Sequence, residues 1–216
     1  MIRKLFISLL FLTFSQAAFS ASMMEQVSTI QKQWAVIKYQ TDDALQSDEY
    51  EKLILQADAL IESYPGKAEP LIWSAIVYSS YAGAVGGLKS ITKALPAVKQ
   101  SRDLLLKAEA IDGKALGGSI MTTLGALYYQ VPGWPLGFGD KEKAREYLEK
   151  GIQINENGLA SNYFYGDFLL DRKEYSKAVS VLEHALAAPA LVQRPVADQG
   201  RRDEIKALLE VARSKS

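Results

Sequence analysis

Leu159–Ala190 reads LASNYFYGDFLLDRKEYSKAVSVLEHALAAPA, two short amphipathic helices joined by a tight turn. Gly166 is placed where the first helix is crossed most closely, with Tyr165 before it and Leu169 one turn on. Tyr175 opens the second helix, and Ala178, Leu182 and Ala185 recur on one of its faces. Small residues at Gly166 and Ala178 let two helix axes approach, and Leu169 and Leu182 fill the space beside them. One such pair cannot bury both of its faces, so the spacing predicts further pairs stacked against it.

Those pairs are found upstream. In the third unit Gly125 takes the small position, Leu124 precedes it and Tyr128 follows, and the partner helix KEKAREYLEKGIQI carries Ala144, Leu148 and Gly151. In the second unit Ala75 and Tyr78 answer Ser101, Leu105 and Ala108. Ala75 and Ser101 stand 26 positions apart and Gly125 and Ala144 stand 19 apart, against 12 for Gly166 and Ala178. About 14 and about 7 residues are therefore inserted, in 82–96 and 130–140. Gly83, Gly86 and Gly87 make the first insertion flexible at its start, and Asp140 closes the second as a helix N-cap.

A first, degenerate pair occupies 25–65. Its helices are read at Glu25–Tyr39, with Met24, Val27, Ile30, Trp34 and Ile37 or Lys38 near one stripe, and at Glu49–Ser63, with Asp48 as cap. Thr41–Asp48 is read as a turn, and Tyr64-Pro65-Gly66 ends the second helix. The remaining units cover 68–113, 118–157 and 159–190. After a Pro-bounded linker, a helix over 198–213 caps the array. The expected fold is all-α: a helical-hairpin array, an α-solenoid, with two inserted loops and a C-terminal capping helix, as one domain over 21–216.

The small and large residues at 75, 78, 101, 105 and 108, at 125, 128, 144, 148 and 151, and at 166, 169, 178, 182 and 185 resemble the tetratricopeptide repeat (TPR) family, whose unit is about 34 residues. The resemblance covers roughly residues 69–190, with Ser101 and Gly151 departing from the usual alanine. Within that family, AEPLIWSAIVYSSYAG, GALYYQVPGWPLGFGD and NYFYGDFLL resemble the T component of tripartite ATP-independent periplasmic (TRAP) transporters. This resemblance implies a periplasmic helical protein that docks on the transporter's solute-binding protein. Members of that group can be lipoproteins, and this chain has no cysteine to carry a lipid.

Composition narrows the function further. The 216 residues hold 25 basic and 25 acidic side chains for a net charge of zero, which argues against a nucleic-acid partner. Without cysteine there is no disulfide, thiolate metal site or thiol catalysis. Arg3 and Lys4, the apolar run Leu5–Phe14 and the small residues of SQAAFSAS have the layout of a cleaved secretory signal over 1–20, with cleavage after Ser20 or after Ala17. The residue style is bacterial, so the expected location is the periplasm, with no membrane insertion after cleavage. No signal fixes an oligomeric symmetry.

No catalytic, cofactor or metal constellation is recognised, and the chain is read as a non-enzyme. The one histidine, His184, is read as a solvated surface residue. The glycines around 83–87 and 133–139 follow no strand and accompany no P-loop lysine. Asp42-Asp43 and Asp203-Glu204 are read as ordinary helix-flanking acids, and Arg194, Arg201 and Arg202 as a solvated face touching helix ends.

The leading reading is a scaffold whose first helices line a groove for a protein partner. That groove draws on Glu69, Ile72 and Ile76 from the second unit, Thr122, Ala126 and Tyr129 from the third, and Tyr163, Asp167 and Leu170 from the fourth. Packing of Ile72, Ile76 and Leu170 against the insertions or the last helix is the other reading of those residues. Trp134 and Phe138 in the second insertion either plug the junction between units three and four, the favoured reading, or anchor a partner. The alternative function is a small-molecule binder whose insertions close a pocket lined by Tyr129, Trp134 and Tyr163.

Overall fold

A computed structural model describes residues 22–85 and 90–216. The leader read at 1–20 and Gly86 and Gly87 of the first insertion lie outside the described residues. Every regular element among the described residues is helical: α1 (22–40), α2 (Asp43–Ser63), α3 (Ala68–Ala84), α4 (Leu95–Asp112), α5 (Ala115–Gln130), α6 (Lys141–Ile154), α7 (Leu159–Asp171), α8 (Tyr175–Ala187) and α9 (Pro195–Arg213), with a π-helical turn over Ser90–Ala94 before α4. None of these helices is long and apolar enough to cross a membrane.

Neighbouring helices pack in sequence order, and α3, α5, α7 and α9 also touch one another in succession, whereas α4, α6 and α8 do not. The odd-numbered helices therefore form an inner row and the even-numbered ones an outer row. This is the two-row packing of a TPR-like solenoid.

The close crossings are the ones the spacing requires. A methyl group at Gly166 would stand 2.7 Å from Leu182 Cγ, and one at Gly125 would stand 2.8 Å from Leu148 Cδ2. At the α3–α4 crossing Ala75 and Leu105 are fully buried, and the buried Ser101 hydroxyl is satisfied by donating to the Ala75 carbonyl at 2.7 Å. Ser101 thus sits in the position of an alanine at no hydrogen-bonding cost. Positive φ at Gly66 (76°) lies in the turn after α2, and positive φ at Gly117 and Gly118 (60° and 81°) kinks the chain within the first turn of α5.

Several boundaries differ from the sequence reading. α2 begins at Asp43, so Thr41–Asp48 is mostly helix and Asp48 lies inside it rather than capping it. The polar side chains there face solvent, which a helix tolerates on its outer side. In α1 Met23 is buried and Met24 exposed, so the inward stripe is Met23, Val27, Ile30, Trp34 and Ile37.

α3 runs three residues past Tyr81, and most of the described part of the first insertion is helical. Glu51 of α2 accepts from the Tyr81 hydroxyl (2.7 Å) and from Lys93 (2.8 Å), which ties the insertion to α2. The cap helix starts at Pro195, three residues early, because proline suits a first helical turn.

Candidate functional site

The inner row was expected to be an open groove, and its residues are largely covered. Ile72, Thr122, Ala126 and Tyr129 are buried, while Glu69, Ile76, Tyr163, Asp167 and Leu170 are half-buried. Ile72 and Ala126 belong to the core shared by α3–α6, so they support the wall and do not line it. Leu170 packs in the clusters formed with α8 and α9, and Ile76 packs against both of the large cores.

The cover comes from the two ends of the array. Arg201 of α9 stands over the Tyr163 ring, 4.0 Å from its centroid, and over Phe164 at 4.9 Å. Glu204, one helical turn on, receives Arg201 (2.8 Å), the Lys38 ammonium (3.2 Å) and the Tyr39 hydroxyl (3.1 Å). A methyl group at Gly200 would stand 2.7 Å from Tyr39 Cδ2, so α1 and α9 approach closely there. Below this contact Tyr129 donates to Asp167 at 2.6 Å and accepts from Gln130 at 3.0 Å.

Burial raises the Tyr163 phenol to about 12 against the opposing pull of Arg201, and burial with the Asp167 carboxylate lifts Tyr129 well above its ordinary value. Arg201 and Arg202 are therefore not a solvated face. Arg202 pairs with Asp198 and donates to the carbonyls of Leu186 and Ala188, closing the end of α8. Glu204 is a central acceptor and not a helix-flanking acid.

The second insertion points the other way. Trp134 is 89 % exposed and Leu136 71 %. The favoured plug reading is corrected for Trp134. Phe138 takes an inner seat alone, edge-on to Tyr128 of α5 (5.7 Å) and under the Arg102 guanidinium of α4 (4.6 Å), at the junction of units two and three rather than three and four.

The backbone explains the division. Gly139 donates to Pro132 O (2.9 Å), Gly137 and Leu136 donate to Gly133 O (both 3.1 Å), and Asp140 donates to Tyr128 O (2.8 Å). A side chain at Gly139 would overlap the Val131 carbonyl, and one at Gly137 would stand 2.8 Å from Val131 Cγ1. The loop is thus folded tightly on itself at its base, with Pro132–Leu136 as its tip. The Trp134–Pro135 peptide is cis. Asp140 is the N-cap the sequence indicates, accepting from Glu142 N and Lys143 N at 3.1 Å.

This outward tip also removes the proposed small-molecule pocket. Tyr129 is buried and Tyr163 is covered by α9, while Trp134 faces solvent, so the three do not line one cavity. The described part of the first insertion continues α3, packs on α3 and α4, and is tied to α2 through Lys93 and Glu51. A shallow cleft between α8 and α9, with Leu186 and Leu209 at its floor, is bridged by Arg213 and Glu183 at 2.7 Å. Among the described residues no His, Cys, Asp and Glu side chains converge as a metal-holding group. His184 is exposed, with Nε2 3.2 Å from the Glu156 carbonyl.

The sequence reading missed Leu136 as part of an exposed tip, and it missed Lys38, Tyr39 and Glu204 as one cluster. A signal for the tip was present: Pro132, Gly133 and Pro135 bracket Trp134 in a turn-forming stretch.

No family model matches the chain, and no curated protein matches it. Among solved structures it is similar to one described as the crystal structure of MamA, with a TM-score of 0.45 and 16 % identity over 78 % of this chain and 89 % of that one. The fold assignment rests on the helix packing described above.

Proposed function

We propose that the chain is a periplasmic interaction scaffold, a stiff helical array that presents the Trp134 loop to a folded protein partner. The observation that carries this reading is a tryptophan 89 % exposed on a loop closed by backbone hydrogen bonds at Gly137, Gly139 and Asp140. Burying a large apolar side chain yields about 1.5–3 kcal/mol. A loop already held in one shape loses little freedom on binding, so more of that gain appears as affinity. Tryptophan is also enriched among the few residues that dominate interface energetics. The tip is convex, and its complement is an apolar pocket on the partner.

The periplasmic address follows from the leader read in the sequence, and the TRAP resemblance makes a solute-binding protein the leading partner. The test compares wild type with the Trp134→Ser/Leu136→Ser double variant as immobilised baits for purified periplasmic solute-binding proteins and for periplasmic extract. The reading expects a protein held by wild type and lost by the variant, with unchanged helical circular dichroism. Equal retention on both baits contradicts it.

A further inference from the structure

We propose that the Asn157–Gly158 pair is a site of spontaneous covalent modification, where the Asn157 amide cyclises onto the following backbone nitrogen and opens to aspartate or isoaspartate. The inference does not rest on the Trp134 loop.

The chain has three asparagines, and all of them lie within 155–162, around the turn between α6 and α7. Two are poorly placed to react. Asn162 is 3 % exposed, its amide donates to the carbonyls of Glu156 (2.7 Å) and Gly158 (3.0 Å), and Tyr163 after it continues the helix. Asn155 ends α6 and is followed by the bulk of Glu156. Asn157 is exposed, no hydrogen bond holds its amide, and the residue after it is glycine. With no side chain on Gly158, nothing screens its nitrogen from the Asn157 side-chain carbonyl.

The fold requires that glycine. A methyl group at 158 would stand 2.8 Å from Asn155 Cγ and 2.9 Å from Ser161 Oγ, so the side chains that would slow the reaction do not fit there. The turn also restrains the reaction. The Gly158 N–H donates to Asn155 O at 3.0 Å, and ring closure must break that bond. One bond in an exposed turn opens at little cost, so the folded chain reacts, though more slowly than the unfolded one.

The chemistry needs only water and base. The Gly158 nitrogen gives its proton to base and bonds to Asn157 Cγ. The Cγ–Nδ2 bond breaks and ammonia leaves, which gives a five-membered imide. Water attacking Cγ restores an ordinary main chain with aspartate at 157. Water attacking the main-chain carbonyl leaves Gly158 joined through Cγ, an isoaspartate with one extra carbon in the backbone.

The two products act differently. Aspartate adds one negative charge beside the N-terminus of α7, where the helix dipole favours it. Isoaspartate lengthens the turn itself. The Glu156 carbonyl in that turn holds the Asn162 amide and lies 3.2 Å from His184 Nε2 of α8, and the Gly158 carbonyl receives Asn162 N at 3.0 Å. The first turn of α7 is therefore the part that isoaspartate loosens.

The test incubates the full chain at mildly alkaline pH, with and without urea, and follows positions 155, 157 and 162 by peptide mass spectrometry. The expected result is conversion at 157 alone in the folded chain, at a rate within about thirtyfold of the urea-unfolded chain. Asn157→Gln should remove the acidic product. The isoaspartyl form, separated by ion exchange, should exchange the Asn162 amide hydrogen at least about tenfold faster than wild type, while Asn157→Asp matches wild type. A larger retardation in the folded chain, or conversion of 155 or 162 as fast as 157, overturns the site. Equal Asn162 exchange in the isoaspartyl form and in Asn157→Asp overturns its effect on α7.

Discussion

Arg201 stands 4.0 Å above the ring centroid of Tyr163, which sets the final helix directly over the residue that the repeat phasing places on the inner face of the fourth unit. A terminal helix in a solenoid is expected to cover the apolar side of the last repeat, and α9 does so through Ile205, Leu209 and Ala212. It goes further by meeting α1 and turning the inner face into an interior. The partner surface we propose, the Trp134 loop, lies outside that inner face.

Removing the Arg201 charge tests that arrangement. Arg201→Met keeps the apolar stem but loses the ring interaction and the pair with Glu204. A cation–π contact is worth about 0.5–2 kcal/mol, so the variant should be less stable by about 1–2 kcal/mol in urea unfolding. Arg201→Lys should recover only part of this, because an ammonium cannot both stack and fork. The Tyr163 phenol, no longer favoured by a nearby cation in its ionised form, should titrate higher in Arg201→Met.

Buried phenols give the fold an alkaline limit. Burial raises Tyr163 and Tyr147 to about 12, and it pushes Tyr39, Tyr50 and Tyr78 higher still. The folded chain holds these protons more tightly than the unfolded chain, whose phenols ionise near 10. Their contribution is therefore complete below about pH 10 and is lost as pH rises through the folded-state values. Urea melts should show no tyrosine-linked decline between pH 8 and 9.5 and a steep fall above 10, accompanied by the ultraviolet signal of tyrosinate.

Glycine substitutions should separate close crossings from open helix. At Gly125 a methyl group meets Leu148 Cδ2 at 2.8 Å and the Leu148 backbone nitrogen at 3.1 Å. Overpacking costs about 1–3 kcal/mol and exceeds the gain of about 1 kcal/mol in helix propensity. Gly125→Ala should therefore lower stability, whereas Gly83→Ala in α3, with nothing within 4 Å, should raise it by about 0.5–1 kcal/mol. Paired denaturant melts check both signs.

Asp140 carries the start of α6 through its two backbone acceptor contacts. Asp140→Ala should cost about 1 kcal/mol and Asp140→Asn much less, since asparagine caps comparably. Thermal melts of the three proteins decide this.

The hairpins were legible because their packing is written locally. Gly166 and Leu182, or Gly125 and Leu148, lie within one unit, and a close crossing demands a small residue at a fixed spacing from a large one. The meeting of Tyr39 with Glu204 was not legible, since 165 positions separate them and the approach depends on the summed curvature of every intervening hairpin. The start of α2 was missed because the polar run from Asp43 faces solvent, and its residues carry no inward pattern to distinguish helix from turn.

For the second insertion, apolar content alone favoured burial of both aromatics. The choice between them lies in the backbone: glycines at 137 and 139 permit the tight base that gives Phe138 the inner seat and sends Trp134 outward.

The central claim is that Trp134, and not the covered inner row, touches the partner. Its most direct measurement is site-specific photo-cross-linking in the periplasm, with a photoreactive side chain at position 134 in one protein and at 163 in another, and adducts identified by mass spectrometry. The account predicts one discrete protein adduct from position 134, an apolar pocket of the partner as the mapped site, and little or none from 163. An adduct from 163 with none from 134, in a chain that keeps its helical content, would contradict it.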